Sequence, residues 1–588
     1  MKLFKRLQHS FEGLSFALVR YPLTSAFLMA IAVVNGLSIQ RSGFDQYDRL
    51  LATGIIGVLI SLAAQGIYER FFTDGMKRWG LAIGAVIITG IYYITMLNIP
   101  DFSLIISIRT AVLVLALVVG CIWIPTIRSE FLFDQSFLIA FKAFFTSLFF
   151  GGVIMLGVSL IFGATDQLLF NVNYLAYPHA ANIIFAIFAP VYFLSLIPKY
   201  HIDDGEAEQK MKWSRFLEVL VAYIIIPLVS VFTVILVLYI LLNIRGEFWT
   251  DNLLEPMLVT YSIVVIFVYV LSGTLENKLA DQFKKIFPKV LVPIVLFQTV
   301  ASFLKIQEEG LTHGRYFVIL YGIFAMITGV LFSLYKGKKN GVVAILLMML
   351  SILSIVPPVD AFSVSRRSQI NQLETVLIDN EILIDGEIQR VADISEGDRE
   401  VITVTTSYLS QMNYTENISW FPEDFEYYSD FEAVFGFSPY ESDFGREIPS
   451  YRSFFRAQEI PMNISNFDYM VQLQFADTED DRESEELLIN GETYRVGWMS
   501  EGREGFYLRD GEDEELLFIG IEEIINRLKE NEPGRQGISQ EEATFHAMDN
   551  GKSMAVIVNI LDFQEQSGQE NNQENYHGDA YILVGVED

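Results

Sequence analysis

"FLEVLVAYIIIPLVSVFTVILVLYILLNI" (216–244) contains one charged residue, Glu218, in 29 positions. A bilayer core about 30 Å thick takes roughly 20 mostly apolar residues of helix. A surface helix of a water-soluble domain would instead keep a polar face. The stretch reads as a membrane-spanning helix. Ten similar runs flank it, at 22–38, 51–67, 79–97, 104–125, 137–161, 179–198, 256–274, 290–304, 316–335 and 341–358. The predicted architecture is an α-helical polytopic membrane domain of about 11 transmembrane helices over residues 1–358. The run at 290–304 is the shortest, with Lys289 and Lys305 able to snorkel at its ends.

Residues 359–588 are chemically distinct. They carry a net charge of −35 against +5 for residues 1–358. Asp385-Gly386, Asn490-Gly491 and Asp510-Gly511 lie between strand-like runs and supply the positive φ that tight hairpins need. "DYMVQLQF" (468–475), "SMAVIVNILDF" (553–563) and "DAYILVGVE" (579–587) read as further strands, and "IGIEEIINRLKE" (519–530) as a helix. The expectation is a soluble α+β domain with mainly antiparallel strands. "QEQSGQENNQENYHG" (564–578) reads as a polar excursion between the last two strands. The acidity of this region argues against nucleic acid, which requires clustered Lys and Arg.

Orientation follows from the basic residues. With the N-terminus placed in the cytoplasm, the cytoplasmic segments hold 19 Lys/Arg and the opposite loops 5. That bias is the positive-inside pattern. An odd number of crossings then makes residues 359–588 extracytoplasmic.

At the N-terminus, Leu3, Leu7, Phe11, Leu14 and Leu18 form a helical stripe, with Lys2, Lys5 and Arg6 on other faces. Residues 1–20 read as an interfacial helix against anionic lipid. Arg20 and Tyr21 anchor it at headgroup level, and Pro22 starts the first crossing. A cleavable signal fits poorly, because the charged segment before the apolar run is too long.

Few residues carry chemistry. Arg109 and Lys142 lie about 7–8 Å inside predicted spans, from which they either snorkel, Arg109 outward and Lys142 inward, or serve function. Glu218 is the sole carboxylate within the predicted span boundaries. Gln298, Thr299 and scattered hydroxyls are the polar groups expected at the midplane, and Pro190, Pro227 and Pro293 are possible kinks. Gly80 and Gly84 form a lone small-residue packing motif. The six histidines form no metal-binding pattern, and Cys121 stands alone, excluding an internal disulfide. "DNGKS" (549–553) resembles the end of a phosphate loop but has His546 where the glycine is needed. No catalytic motif and no cofactor or metal signature is found, so nothing points to an enzyme. Acidic runs such as 477–486 lack the spacing of a calcium loop.

"ALVRYPLT" (17–24), "WSRFLEVLVAYIIIPLVSVFTVILVLYILL" (213–242), "GLTHGRYFVILYGIF" (310–324) and "AFSVSRRSQINQLETVLIDNEILIDGEI" (361–388) resemble a bacterial membrane family known as domain of unknown function 4153. The resemblance covers roughly residues 14–390. It implies a bacterial cell-envelope setting and brings no activity or catalytic residues. Within these blocks Arg315-Tyr316 opens a span as Arg20-Tyr21 does, both as interfacial anchors. Arg366 and Arg367 emerge where they could hold a helix over 366–380 against lipid phosphates.

Three functions fit such a chain. The first is a membrane platform presenting a sensing or interaction module to an envelope protein partner. The second is a transporter or channel using Lys142 or Pro227. The third is an envelope transferase using Glu308 and His313 in an outer loop.

Overall fold

A computed structural model of the 588-residue chain describes residues 13–40, 46–97, 103–200, 206–243, 254–335, 339–390, 394–422, 425–437, 450–456, 467–476, 484–500, 503–529, 537–565 and 575–586, with 337, 439 and 464 besides. It divides into two compact units, Met1–Gln372 and Leu373–Asp588. The first is helical. A short helix α1 (13–20) is followed by α2 (Pro22–Gln40), α3 (Gln46–Phe71), α4 (Gly75–Leu97), α5 (Leu104–Trp123) and α6 (Phe133–Leu168). Next come α7 (Ala176–Leu196), α8 (Glu208–Leu242), α9 (Leu254–Leu271), α10 (Lys278–Glu309), α11 (His313–Tyr335) and α12 (Asn340–Leu353). The first part of the interfacial-helix reading, residues 1–12, lies outside the described residues.

Among the described residues, 10 helices rather than 11 are long and apolar enough to cross a bilayer. The exception is the run expected over 341–358. Its helix α12 has 14 residues, because Pro357 and Pro358 end the apolar stretch in turns rather than helix. Helices α3, α6 and α10 outgrow their apolar centres by a turn or more. Glu69 and Asp134 consequently fall within α3 and α6, and Glu218 is not the sole carboxylate inside these helices.

Proline acts differently at its three sites. Before Pro190 and Pro227 the helix widens into π turns, Ile183–Phe188 and Leu220–Ile225, and the backbone N–H of Ala189 and Ile226 bonds five residues back. A widened turn accommodates a residue that has no N–H and whose ring crowds the preceding turn. Pro288 and Pro293 sit inside α10 without ending it. The α2–α3 pair packs closely: a Cβ at Gly54 would lie 2.6 Å from Ile31, and one at Gly57 2.7 Å from Phe27. By contrast, a Cβ at Gly80 or Gly84 would meet nothing within 4 Å, so that motif makes no contact. Ile83, Ile87, Ile91 and Ile94 of α4 are exposed, as are Phe145, Phe149 and Leu156 of α6. Such apolar surface suits lipid rather than water.

The unit boundary falls within α13 (Ala361–Asp379). The second unit begins with the hairpin β1 (Leu383–Ile384) and β2 (Glu387–Ile388), then α14 (Glu396–Gln411) and α15 (Tyr427–Phe435). Its sheets comprise β3 (Ser450–Arg456), β4 (Tyr469–Ala476), β5 (Ser484–Ile489), β6 (Glu492–Met499), β7 (Gly505–Asp510) and β8 (Glu515–Gly520). After α16 (Ile521–Lys529) come β9 (Gly537–Ile538), β10 (Thr544–Asp549), β11 (Lys552–Glu565) and β12 (Asn575–Val586). Strands β5-β6-β7-β8 form an antiparallel meander. The other sheet runs β4-β12-β11-β3-β9, with β10 also on β11, and is antiparallel except for β3 with β9. Both sheets contribute to one core, which includes Phe475, Trp498, Phe506, Phe545 and Phe563.

Asp385-Gly386 and Asn490-Gly491 adopt the positive φ pair of a two-residue turn. Asp510-Gly511 does not. The positive φ there belongs to Asp513, and Asp510 caps a longer loop by accepting from the N–H groups of Glu512 and Glu514. "DNGKS" is a tight turn: Asn550 (φ 47°) and Gly551 (φ 76°) join β10 to β11. Most of the acidic run at 477–486 and most of the excursion at 564–578 lie outside the described residues.

Candidate functional site

The site begins where α1 meets α2. Tyr21 N–H still bonds Ala17, but Pro22 supplies no N–H, and the carbonyls of Val19 and Arg20 are left over. Arg78 of α4 covers both, its Nη2 donating at 3.3 and 2.8 Å. Arg20 turns inward and is 7% exposed. Its Nε and Nη2 grip Glu69 Oε1 and Oε2 at 2.8 and 2.7 Å. Its other donors reach the carbonyls of Ile197 (2.6 Å) and Pro198 (3.1 Å) at the end of α7. Gln65 completes the network, donating to Glu69 (2.9 Å) and accepting from Arg78 (3.2 Å). Burial, the largest influence, would lower the Arg20 pKa, but the bond to Glu69 and the charge interactions with Tyr21, Glu69 and Tyr200 together outweigh it, and the net shift is upward. One guanidinium thus ties α1, α3 and α7 together through a forked, charge-assisted contact.

Beside this pair lies a cavity of about 360 Å³ lined by Arg20, Tyr21, Glu69, Cys121, Lys199 and Tyr200, among others. Tyr200 lies 3.3 Å from Ser136 Oγ, and burial pushes its hydroxyl pKa up to about 12. Tyr21 is 4% exposed, and burial likewise raises its pKa. Both phenols therefore stay protonated at neutral pH. Cys121 contacts the Leu59 carbonyl at 3.5 Å.

A second buried carboxylate occupies the same end of the bundle. Asp134 Oδ1 accepts from Asn340 Nδ2 at 2.7 Å, and its side chain presses against Gly273, where any Cβ would clash. Both Asp134 and Asn340 are under 5% exposed. Nearby, Lys142 Nζ donates to the carbonyls of Lys210 and Lys212, each at 2.8 Å. Glu218 is tethered to Asn277 at 3.4 Å. Arg70 covers the carbonyls of Ile127 and Arg128. The basic segments around 20, 70–78, 128, 199–212, 278 and 339 therefore gather at one end.

The opposite end holds Arg109. Its Nη2 pairs with Asp360 Oδ1 at 2.9 Å, and Asp360 also accepts from the N–H groups of Phe362 and Ser363 and from the Ser363 hydroxyl. Asp360 is fully buried and caps α13. Arg109 lies over the Phe362 ring, which stacks in turn on His313. Tyr316 donates to the Val359 carbonyl at 2.6 Å, and Arg315 to that of Gly310 at 3.1 Å. Arg366 and Arg367 are exposed on α13. Glu308 belongs to the last turn of α10 rather than to a loop, and its side chain is not among those described. Gln298 is 1% exposed with neither polar atom hydrogen-bonded among the described residues, while Thr299 packs against Gly322.

The fold thus joins Arg20 to Glu69 and Arg109 to Asp360, but leaves Lys142, Glu218 and Arg315 apart from them. Sequence reasoning missed the four acceptor and donor partners, Glu69, Asp134, Asn340 and Asp360. Asp360 had a local signal: an Asp three residues before a Ser at the head of a helix. Among the described residues no three His, Cys, Asp or Glu side chains are grouped to hold a metal.

A family model described as "Domain of unknown function (DUF4153)" matches residues 23–390, more than half of the chain. The chain belongs to this family. The matched region contains Glu69, Arg109, Asp134, Asn340 and Asp360, but stops short of Arg20 and the sheets. No curated protein and no solved structure matches the chain.

Proposed function

We propose that this DUF4153 member is a membrane platform of the bacterial cell envelope that presents its acidic α+β region, residues 359–588, on the extracytoplasmic side as a sensing or interaction module. One observation carries the sidedness. Asn340 bonds Asp134 at the cation-rich end, whereas Asp360, 20 residues on, pairs with Arg109 at the other. The segment 340–360 therefore runs from one end to the other, alongside α5, although α12 is short. With ten long helices before it, the chain enters and leaves the bundle at opposite ends. The gathering of Lys and Arg at the Arg20 end favours that end as cytoplasmic. Under this reading Arg315, Tyr316, Arg366 and Arg367 act as interfacial anchors, while Arg20 and Tyr21, buried in the fold, hold the cation-rich end together from within. Lys142 reaches towards the cytoplasm, and Arg109 towards the opposite face.

A periplasmic-activity reporter fused after residue 360 tests the sidedness and is expected to be active. An inactive reporter there, with an active cytoplasmic one, overturns it. The module reading is tested by co-purification from native membranes. A specific envelope partner is expected with the full chain and lost on removal of 390–588; recovery of the same partner without that region rejects the module.

A further inference from the structure

The cavity beside Arg20 is lined by two polar groups that make no hydrogen bond among the described residues, Lys199 and Tyr21. Lys199 Nζ lies 4.8 Å over the Phe16 ring and makes no hydrogen bond or ion pair among the described residues. Tyr21 is 4% exposed, and its hydroxyl finds no partner among them either. Lys199 is half-buried, and neither its Nζ nor the Tyr21 hydroxyl is sealed off within the fold, so both can donate to a group that enters the cavity. Glu69 lies within electrostatic range of Lys199 but is hydrogen-bonded by Arg20 and Gln65 instead. Cations outnumber carboxylates on the lining, with Arg20, Arg70, Arg78 and Lys199 against Glu69.

The rest of the lining is mainly apolar, including Phe16, Leu62, Ile122 and Phe193. Phe16 and Val19 are 50% and 72% exposed, so the apolar wall continues onto the outer surface of the bundle. A free phosphate would use none of this surface. A volume of about 360 Å³ accommodates a headgroup with the start of its chains.

We propose that this cavity binds one anionic phospholipid, with Lys199 Nζ and the Tyr21 hydroxyl donating to its phosphate oxygens and the apolar wall taking the first methylenes. General attraction of a cation-rich end for anionic lipid is diffuse and unsaturable at one site. The cavity instead gives a saturable site of defined stoichiometry. The inference does not depend on the role of residues 359–588.

The test uses the full chain in nonionic detergent, titrated with short-chain phosphatidylglycerol and followed by native mass spectrometry. Saturable binding is expected, with phosphatidylcholine at least about ten-fold weaker, a difference worth about one hydrogen bond to a charged group. Lys199→Gln should weaken phosphatidylglycerol about ten-fold and Tyr21→Phe a few-fold, while Lys285→Gln on exposed α10 surface changes nothing. Inorganic phosphate at millimolar concentration should not displace the lipid. Displacement would reassign the site to free phosphate. Equal binding of both lipids, or wild-type binding by both the Lys199 and Tyr21 variants, overturns the proposal. Lys199 makes no hydrogen bond within the described fold, so its variant is not expected to misfold, and unchanged elution on gel filtration verifies that.

Discussion

The two ends of the helical unit each hold an arginine–carboxylate pair, and they are built in opposite ways. At the Arg20 end the cation is the buried member, 6% exposed in its side chain, and its carboxylate is 24% exposed. At the Arg109 end the carboxylate is fully enclosed and the arginine is 33% exposed. The first pair fastens three helices and satisfies backbone carbonyls at the C-terminal end of α7. The second satisfies backbone N–H groups at a helix start. An arginine belongs where carbonyls are orphaned, and a carboxylate where N–H groups are, because each helix terminus exposes one kind of group only.

The largest way to break this comparison is Glu69→Ala, which leaves the enclosed Arg20 without its counterion. A loss of about 3–5 kcal/mol is expected, read as a large fall in the thermal midpoint of the detergent-solubilised chain. Replacing both partners by apolar residues, Arg20→Met with Glu69→Leu, should recover much of it. At the other end Asp360→Ala removes a cap and a partly exposed ion pair, with an expected cost of about 1–3 kcal/mol. A smaller loss of stability on Glu69→Ala than on Asp360→Ala would contradict the contrast drawn above.

That second pair also has a pH signature. Burial would raise the Asp360 pKa, but the bonds from Ser363 and Arg109 prevail and hold it below the usual carboxylate value of about 3.9. A lowered folded pKa means stability is present above the unfolded value and disappears as pH falls through the folded one. The difference in midpoint between the chain and Asp360→Asn should be constant from about pH 8 to 5. It should shrink only below about pH 4. A difference that shrinks near neutrality would contradict the assignment.

A smaller contrast can be drawn within the sheets. Gly551→Ala places a Cβ at φ 76° and should cost about 1 kcal/mol. Gly511→Ala, in the loop where Asp513 rather than Gly511 has positive φ, should cost less. Guanidinium unfolding followed by tryptophan fluorescence, with Trp498 in this core, distinguishes them.

Much of the fold was legible because its cause is local. Runs of apolar residues without charge specify crossing helices, alternation specifies strands, and Asn490-Gly491 specifies a turn by backbone sterics alone. "DNGKS" shows the limit of motif matching: the comparison with a phosphate loop fails at His546, and the simpler steric signal, an Asn-Gly turn, is what the structure contains. The length of the helix was over-read at 341–358, where apolar composition continued past the point at which proline stopped the helix. Span edges were under-read for the converse reason. A helix continues into charged sequence when a tertiary partner waits there, as for Glu69 and Asp134.

The sequence by itself determined the class of this protein, its helical membrane unit and its acidic α+β region, because burial in lipid and strand alternation act on neighbours in the chain. It also marked Arg20 and Arg109 as worth attention, since a cation in or near a span is costly wherever it lies. Only the tertiary structure decided what they hold. Their partners stand 49 and 251 residues away, and no local pattern encodes a contact made by the packing of distant helices. The cavity beside Arg20 is of the same kind, a space defined by several helices at once and written in none of them.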